Sequence, residues 1–453
     1  MTTLFARAAR LPSGWARDVR IGIGAGGTIA TVQADSRAQS GDEILGSVLP
    51  GMTNLHSHAF QRAMAGLTEV ASGAADDDFW SWREWMYRFM SVLTPDDIEA
   101  IAAQLYVENL KGGYTSVVEF HYLHNAPDGS PYADCAETSE RILAAARDAG
   151  IAMTLAPVLY TWGGFGRVPL KPHQLRFRTD VDTVLAIVEK AGRHANADCV
   201  IGAAPHSLRA AECDQIRALV RALPPGTPIH IHAAEQVREI EDCVAHTGRR
   251  PVRLLLDEAG VDARWCLVHA THMMPDEVRG LAESGAVAGL CPSTEADLGD
   301  GIFPFGDYAG AGGAWGLGGD SNVCRSPFEE LKLVEWVQRL AHRRRNLAAR
   351  EQGAAIADHL WDAASAGGAR ASGRMSGAIA PGRRADLIVV ALEDAAGAAY
   401  SPGQLLNQAV FGGGGARVTD AMVGGAWRLR GSRHPAEERI AARHAATMRR
   451  LLA

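Results

Sequence analysis

Eight short apolar runs recur through the middle of the chain, each followed by turn or polar residues and then a helical pattern. They are Met52–Leu55, Thr115–Val118, Met153–Val158, Val200–Ala204, Pro228–Ile231, Cys266–Val268, Ala286–Leu290 and Ala314–Leu317. Amphipathic segments such as Pro95–Leu110, Ser139–Ala149, Asp182–Ala191, Asp214–Ala222, Val237–Thr247 and Pro275–Glu283 lie between them. Strand candidates alternating with helices indicate parallel βα units. Eight such units close a (β/α)₈ barrel, which takes about 250 residues, leaving room in 453 for a small second domain. An open doubly wound sheet is the rival, but no G-x-G-x-x-G opens a helix after an early strand. Thr94-Pro95-Asp96-Asp97 and Ser326-Pro327-Phe328-Glu329 both read as helix starts, with a capping residue followed by proline and an acid.

The ends look different. Residues 1–48 and 375–453 carry β-like runs such as Val19–Ile23 and Asp386–Val390 with glycine turns, which predicts one small β-sandwich domain built from both termini beside a barrel spanning 49–374. A hydrophobic fraction of 47% and a charged fraction of 21% allow a large core and exclude disorder. The net charge of -7 argues against a nucleic-acid or anionic-membrane partner. The one basic run, His342–Arg345, reads as a solvated helical face. Seven scattered cysteines without a C-x-x-C predict reduced thiols in a cytoplasmic enzyme. Met1–Leu11 leads into no apolar signal stretch, and the longest uncharged run, Ala149–Gly166, is broken by Pro157 and four glycines. A soluble protein with no membrane partner is expected.

Asn54-Leu55-His56-Ser57-His58 directly follows the first strand run. Residues at i and i+2 of an extended chain point the same way, so both imidazoles can reach one ion at the strand's carboxyl end, where barrel active sites lie. An H-x-H pair alone is a weak signal. Its companions strengthen it: His232 ends the fifth run, His269 the sixth, and Asp320 follows the eighth after Gly318-Gly319. Nitrogen and oxygen donors from separate strand ends suit a borderline divalent ion. His230 lies deeper in its strand and His272 beyond the strand end, so neither is assigned as a ligand. Glu235, three residues past His232, would lie over a metal-activated water if the chain turns helical there, and could carry a proton from it to a leaving amine. The bland alternative is a solvated glutamate in the first turn of a helix. No lysine occurs in or just after Cys199–Pro205, so no bridging lysine carbamate is available and a mononuclear site is expected.

The pattern His56-x-His58, His232, His269, Asp320 on eight βα units resembles the amidohydrolase superfamily, as does the tail Gly377–Ile388 with its Ala380-Pro381-Gly382-Arg383-Arg384-Ala385-Asp386-Leu387. The resemblance implies a barrel with a terminal β-sandwich, one zinc ion and deaminase-type chemistry. It makes His56, His58, His232 and Asp320 the metal ligands, His269 a non-ligand that hydrogen-bonds water or substrate, and Asp320 also a proton acceptor. More narrowly, several loops resemble the formiminoglutamate deiminases. They are Asn54–Arg62, Phe79–Glu84 with Met86-Tyr87, Glu119–His124, Tyr160–Phe177 and Ala204–Arg209. A homodimer is expected because relatives commonly pair.

Gln61, Arg83, Tyr122, His206 and Arg209 lie in loops after strand runs one, two and four. Two arginines among such donors suit a small anionic substrate, because guanidinium forks bind carboxylates bidentately; structural salt bridges are the other reading. Trp80, Trp82 and Trp85 are expected to pack a lid and exclude water. The favoured expectation is hydrolysis of N-formimino-L-glutamate to N-formyl-L-glutamate and ammonia, with Glu235, His269 and Asp320 as catalytic residues. A nucleobase or nucleoside deaminase on the same scaffold is the alternative. A catalytically dead binding module would lack ligands or the acid, and here all are present.

Overall fold

The structure is a computed structural model that describes residues 2–71, 79–349, 351–392, 400–413 and 415–453. Each of the eight apolar runs forms parallel strand structure. The strands are β5 (Met52–Ser57), β6 (Tyr114–His121), β7 (Ala152–Leu159), the pair β8 (Cys199–Ile201) and β9 (Ala204–Pro205), β10 (Ile229–Ala233), β11 (Trp265–His269), β12 (Val287–Leu290) and β13 (Ala314–Leu317). The fourth run splits in two, with Gly202-Ala203 between the pieces. Strands β5 to β9 form one sheet and β10 to β13 another. Parallel bridges Ala203–Ile229 and Ser57–Asp320 join the sheets at both seams. This is an α/β fold of the TIM-barrel type, and its strand ends carry the residues discussed below.

Helices follow the strands as the periodicity predicts. Val237–Thr247 has the expected bounds, and Pro95–Gly112 and Glu137–Ala149 differ from theirs by two residues at one end. Thr94 caps its helix through a reciprocal bond with Asp97. Ser326 makes no side-chain cap bond, and Glu329 pairs with Lys332, 2.6 Å away. The basic run also departs from expectation. Its helix, Pro327–His342, stops at His342, and Arg343 adopts a left-handed conformation, so the arginines lie exposed in the following loop. All seven cysteines are free thiols. Among the described residues no helix is long and apolar enough to cross a membrane.

The chain ends meet in one seven-stranded sheet. It comprises β1 (Thr2–Leu11), β2 (Gly14–Ile23), β3 (Ile29–Gln33), β4 (Glu43–Pro50), β14 (Leu387–Leu392), β15 (Ala416–Val423) and β16 (Ala426–Leu429), in the order β16-β15-β14-β4-β1-β2-β3. Period-two alternation divides its faces. Leu387 and Val389 join Leu4, Ile21, Ile29 and Met422 in the sheet's own core, whereas Ile388 and Val390 enter the main core. A charge cluster, buried except at Asp198, sits at the junction with the α/β part. Arg374 reaches Asp386 at 2.5 Å and Asp198 at 2.7 Å, and Arg384 binds Asp198 at 2.6 Å. The C-terminal helix Glu437–Leu451 lies back on helix Pro95–Gly112 through the pairs Arg443–Glu99 and Arg450–Asp97.

Candidate functional site

Strand β5 is buried along its whole length, and its pleat sends His56 and the adjoining His58 to one side. Their Nε2 atoms lie 3.2 Å apart, and His232 Nε2, from β10, lies 3.1 Å from that of His56. Asp320 Oδ1 is 3.3 Å from His58 Nε2 and 3.6 Å from His56 Nε2. The backbone explains how a residue after β13 reaches β5. His58 N–H donates to Asp320 O (2.9 Å) and Asp320 N–H to His56 O (2.8 Å). That approach requires the glycine pair before Asp320: a Cβ on Gly318 would stand 2.7 Å from His56 Cβ, and one on Gly319 2.8 Å from Asn322 Oδ1.

The donor chemistry calls for a cation. Nδ1–H of His58 donates to Phe120 O (2.9 Å) and that of His232 to His206 O (3.0 Å). Both rings therefore present an Nε2 lone pair inward, the arrangement that orients histidine ligands. His56 Nε2 faces both lone pairs and can offer a proton to only one. Burial holds His58 down at about 3 and keeps His56 and His232 well below the ordinary imidazole value, so all three rings are neutral, as ligands must be. Burial also pushes the Asp320 carboxyl up to about 7. These four side chains, with mutually close ligand atoms, fit one divalent ion.

Beside them His269 stands apart electrically. Burial works to lower its pKa, but Glu235, Glu295 and Asp320 outweigh this and raise it to about 10. Glu295 accepts from Cys291 N–H (2.9 Å) and His269 Nδ1–H (3.3 Å), leaving His269 Nε2 3.7 Å from both Glu235 Oε1 and Asp320 Oδ2. His269, Ala234 and Asp320 all have left-handed backbone, with φ of 67°, 54° and 48°. Non-glycine residues adopt that region at a cost, typically where a site demands it. Glu235 reaches the cavity through the bend at Ala234, not through an early helical turn, since the helix starts only at Val237. At 5% exposure it is not a solvated first-turn glutamate.

The five expected recognition residues converge on this centre. Gln61, Arg83, Tyr122, His206 and Arg209 line a cavity with His58, His232, Glu235 and Asp320. Gln61 donates to the Tyr122 hydroxyl (2.8 Å), and Arg83 to that of Tyr160 (3.1 Å). Arg83, His206 and Arg209 also border an outer vestibule of about 680 Å³. Arg209 holds an unexpected partner: it donates to Glu235 Oε2 at 3.1 Å. Trp82 lines the inner cavity and Trp80 the vestibule, whereas Trp85 is 48% exposed and seals nothing. His230 bonds Ala371 O (2.9 Å) and His272 bonds Asp300 O (2.7 Å), both away from the centre. Residues that sequence reasoning missed are Glu295, which orients His269, and Asn322, whose amide donates to Asp320 O (2.7 Å) and His58 O (3.3 Å) across the seam. An acid soon after strand run seven was the available signal for Glu295; Asn322 left none.

The model of the Amidohydrolase family matches residues 47–428. The chain belongs to this family. Its members are metal-dependent, which accords with the His56, His58, His232 and Asp320 cluster. A second family model, formimidoylglutamate deiminase HutF, N-terminal domain, matches residues 1–46. The chain is 50% identical over 442 residues to a formimidoylglutamate deiminase of Pseudomonas aeruginosa, covering 97% of each. The solved amidohydrolase from Brucella melitensis superposes with a TM-score of 0.95 at 44% identity, over 100% of both chains. A zinc-bound adenosine deaminase from Xanthomonas campestris shares the fold, with a TM-score of 0.81 at 19% identity over 100% of this chain and 98% of that one.

Proposed function

We propose that this family member hydrolyses N-formimino-L-glutamate to N-formyl-L-glutamate and ammonia, a step of histidine degradation. The observation that carries the reading is the 50% identity to the Pseudomonas aeruginosa deiminase, sustained over 97% of both chains. The cavity supports it. Arg83 and Arg209 supply guanidinium groups beside the catalytic centre, as a dicarboxylate needs and a neutral purine does not. The architecture we propose is a (β/α)₈ barrel over 49–374, flanked by a β-sandwich domain built from 1–48 and 375–453. A homodimer and a cytoplasmic setting belong to the same proposal.

His56, His58, His232 and Asp320 would hold the divalent ion, for which zinc is the natural choice given three imidazoles and one carboxylate. When bound, such an ion supplies Lewis acidity that makes water a nucleophile near neutral pH. The chain's own groups do the rest. Gln61, Arg83, Tyr122, His206 and Arg209 bind and orient the substrate. Asp320 and His269 fix the attacking water against the formimino carbon. Water adds to that carbon and the bond to the terminal nitrogen breaks. Glu235 takes one proton from the water and delivers it to the terminal nitrogen. Asp320 accepts the remaining hydroxyl proton as the formyl C=O forms, and that proton also passes to the nitrogen, which leaves as ammonia.

Ammonia release tests the reading on a panel of formiminoglutamate, its shorter aspartate analogue, free formamidine, and adenine, guanine and cytosine derivatives. The highest kcat/KM should belong to formiminoglutamate. A ring substrate turned over faster would assign the chain to the nucleobase deaminases instead.

A further inference from the structure

Arg209, read above as a grip for a substrate carboxylate, already holds a partner within the fold. Its side chain is 11% exposed and borders both the vestibule and the inner cavity. One terminal nitrogen donates to Glu235 Oε2 at 3.1 Å. Its Nε is buried without a hydrogen-bond partner. The nearest other acid, Glu239, is 3.9 Å from that nitrogen and accepts the backbone N–H groups of Ala234 (3.1 Å) and Glu235 (3.2 Å). Glu239 therefore holds the loop in place and lies at ion-pair distance from the guanidinium without a hydrogen bond to it. The proton carrier and the substrate's anion thus need the same cation.

A carboxylate held by a charge-assisted hydrogen bond to a buried guanidinium is pinned at that oxygen and is not free to turn toward the reacting atoms. It leaves that partner readily only when a second anion takes its place, since an unpaired buried charge is costly. We infer that Arg209 is a substrate-released clamp: at rest it pairs with Glu235, and a carboxylate of the bound substrate takes over the guanidinium and frees Glu235 for proton transfer. Recognition far from the reacting carbon is thereby converted into turnover, so a molecule with the same formimino group but no carboxylate binds without releasing the acid. The inference rests on the deiminase reading and deepens it.

The test compares kcat and kcat/KM for formiminoglutamate and for formamidine, which carries no carboxylate, in the wild type and in Arg209→Met. Metal content and melting temperature establish that the variant is folded. The clamp predicts opposite signs: kcat/KM for formiminoglutamate falls about 100-fold or more, while kcat for formamidine rises about threefold or more. Unchanged formamidine turnover, including none in either protein, overturns the clamp and leaves Arg209 a binding group. A parallel fall on both substrates overturns it too and makes Arg209 a positioning residue for Glu235. Should Arg209→Met not fold, glutarate added to the wild type supplies the missing dicarboxylate; faster formamidine turnover supports the clamp, and no change or inhibition overturns it. A wild type inactive on formiminoglutamate would sink the deiminase reading alone, because the formamidine comparison still decides the clamp.

Discussion

Two largely buried polar clusters in this molecule invite comparison. At the junction between the terminal sheet and the α/β part, Arg374, Arg384, Asp198 and Asp386 pair within 2.5–2.7 Å, with two cations against two anions. At the strand ends, His56, His58, His232 and Asp320 present lone pairs and a carboxylate to one another with no cation among them. The first cluster is complete in its own side chains. The second offers three imidazole nitrogens and one carboxylate, a donor set that suits a divalent ion. Burial alone does not separate structure from function here; the electrostatic balance within the buried group does.

The comparison breaks most sharply on metal removal. Dialysis against a chelator should abolish ammonia release and lower the melting temperature, and one equivalent of zinc should restore both; activity that survives without metal would place the clusters in one class. Next in size, Glu235→Gln should lower kcat about 10²- to 10⁴-fold with metal content still near one per chain. Full activity in that variant removes Glu235 from proton transfer. At the other cluster, Arg374→Met should cost about 3–5 kcal/mol of stability by leaving Asp386 unpaired, while kcat of the folded fraction stays near wild type. A drop in kcat without loss of stability would show the two regions to be coupled.

The smallest effect concerns Glu119, buried on β6 behind the histidine loop, where it accepts from Ala59 N–H at 2.7 Å and Tyr106 O–H at 3.1 Å. Burial raises its pKa from 4.5 to about 8. The folded protein therefore binds the extra proton, and the stability from it is full below about 4.5 and lost as pH rises toward 8. Relative to the wild type, Glu119→Gln should gain stability with rising pH, by up to about 1 kcal/mol per pH unit over that window. Urea midpoints at pH 5 and pH 8 check this; parallel shifts in both proteins would refute it.

The strand ladder was legible because parallel strands buried on both faces are largely apolar, and Cys266–Val268 and Ala314–Leu317 advertise that directly. The ligands were legible because three lie at strand ends and Asp320 follows a telling glycine pair. What stayed hidden depends on bends and on partners from distant loops. No periodicity announces the left-handed turn at Ala234 that aims Glu235 inward. Nor does spacing pair Arg209 with Glu235, 26 residues apart and on different loops. Ser326 shows the reverse error: the capping spacing is present, but the serine makes no cap bond and Glu329 pairs with Lys332.

Strand β4 lies between β1 and β14 in the terminal sheet. During vectorial synthesis, one hydrogen-bonding edge of β4 must therefore wait until Leu387 leaves the ribosome, after the whole catalytic part has already emerged. An unpaired apolar edge kept waiting that long is a template for illicit pairing with other chains. Truncation before β14 should consequently harm solubility more than its distance from the catalytic centre suggests.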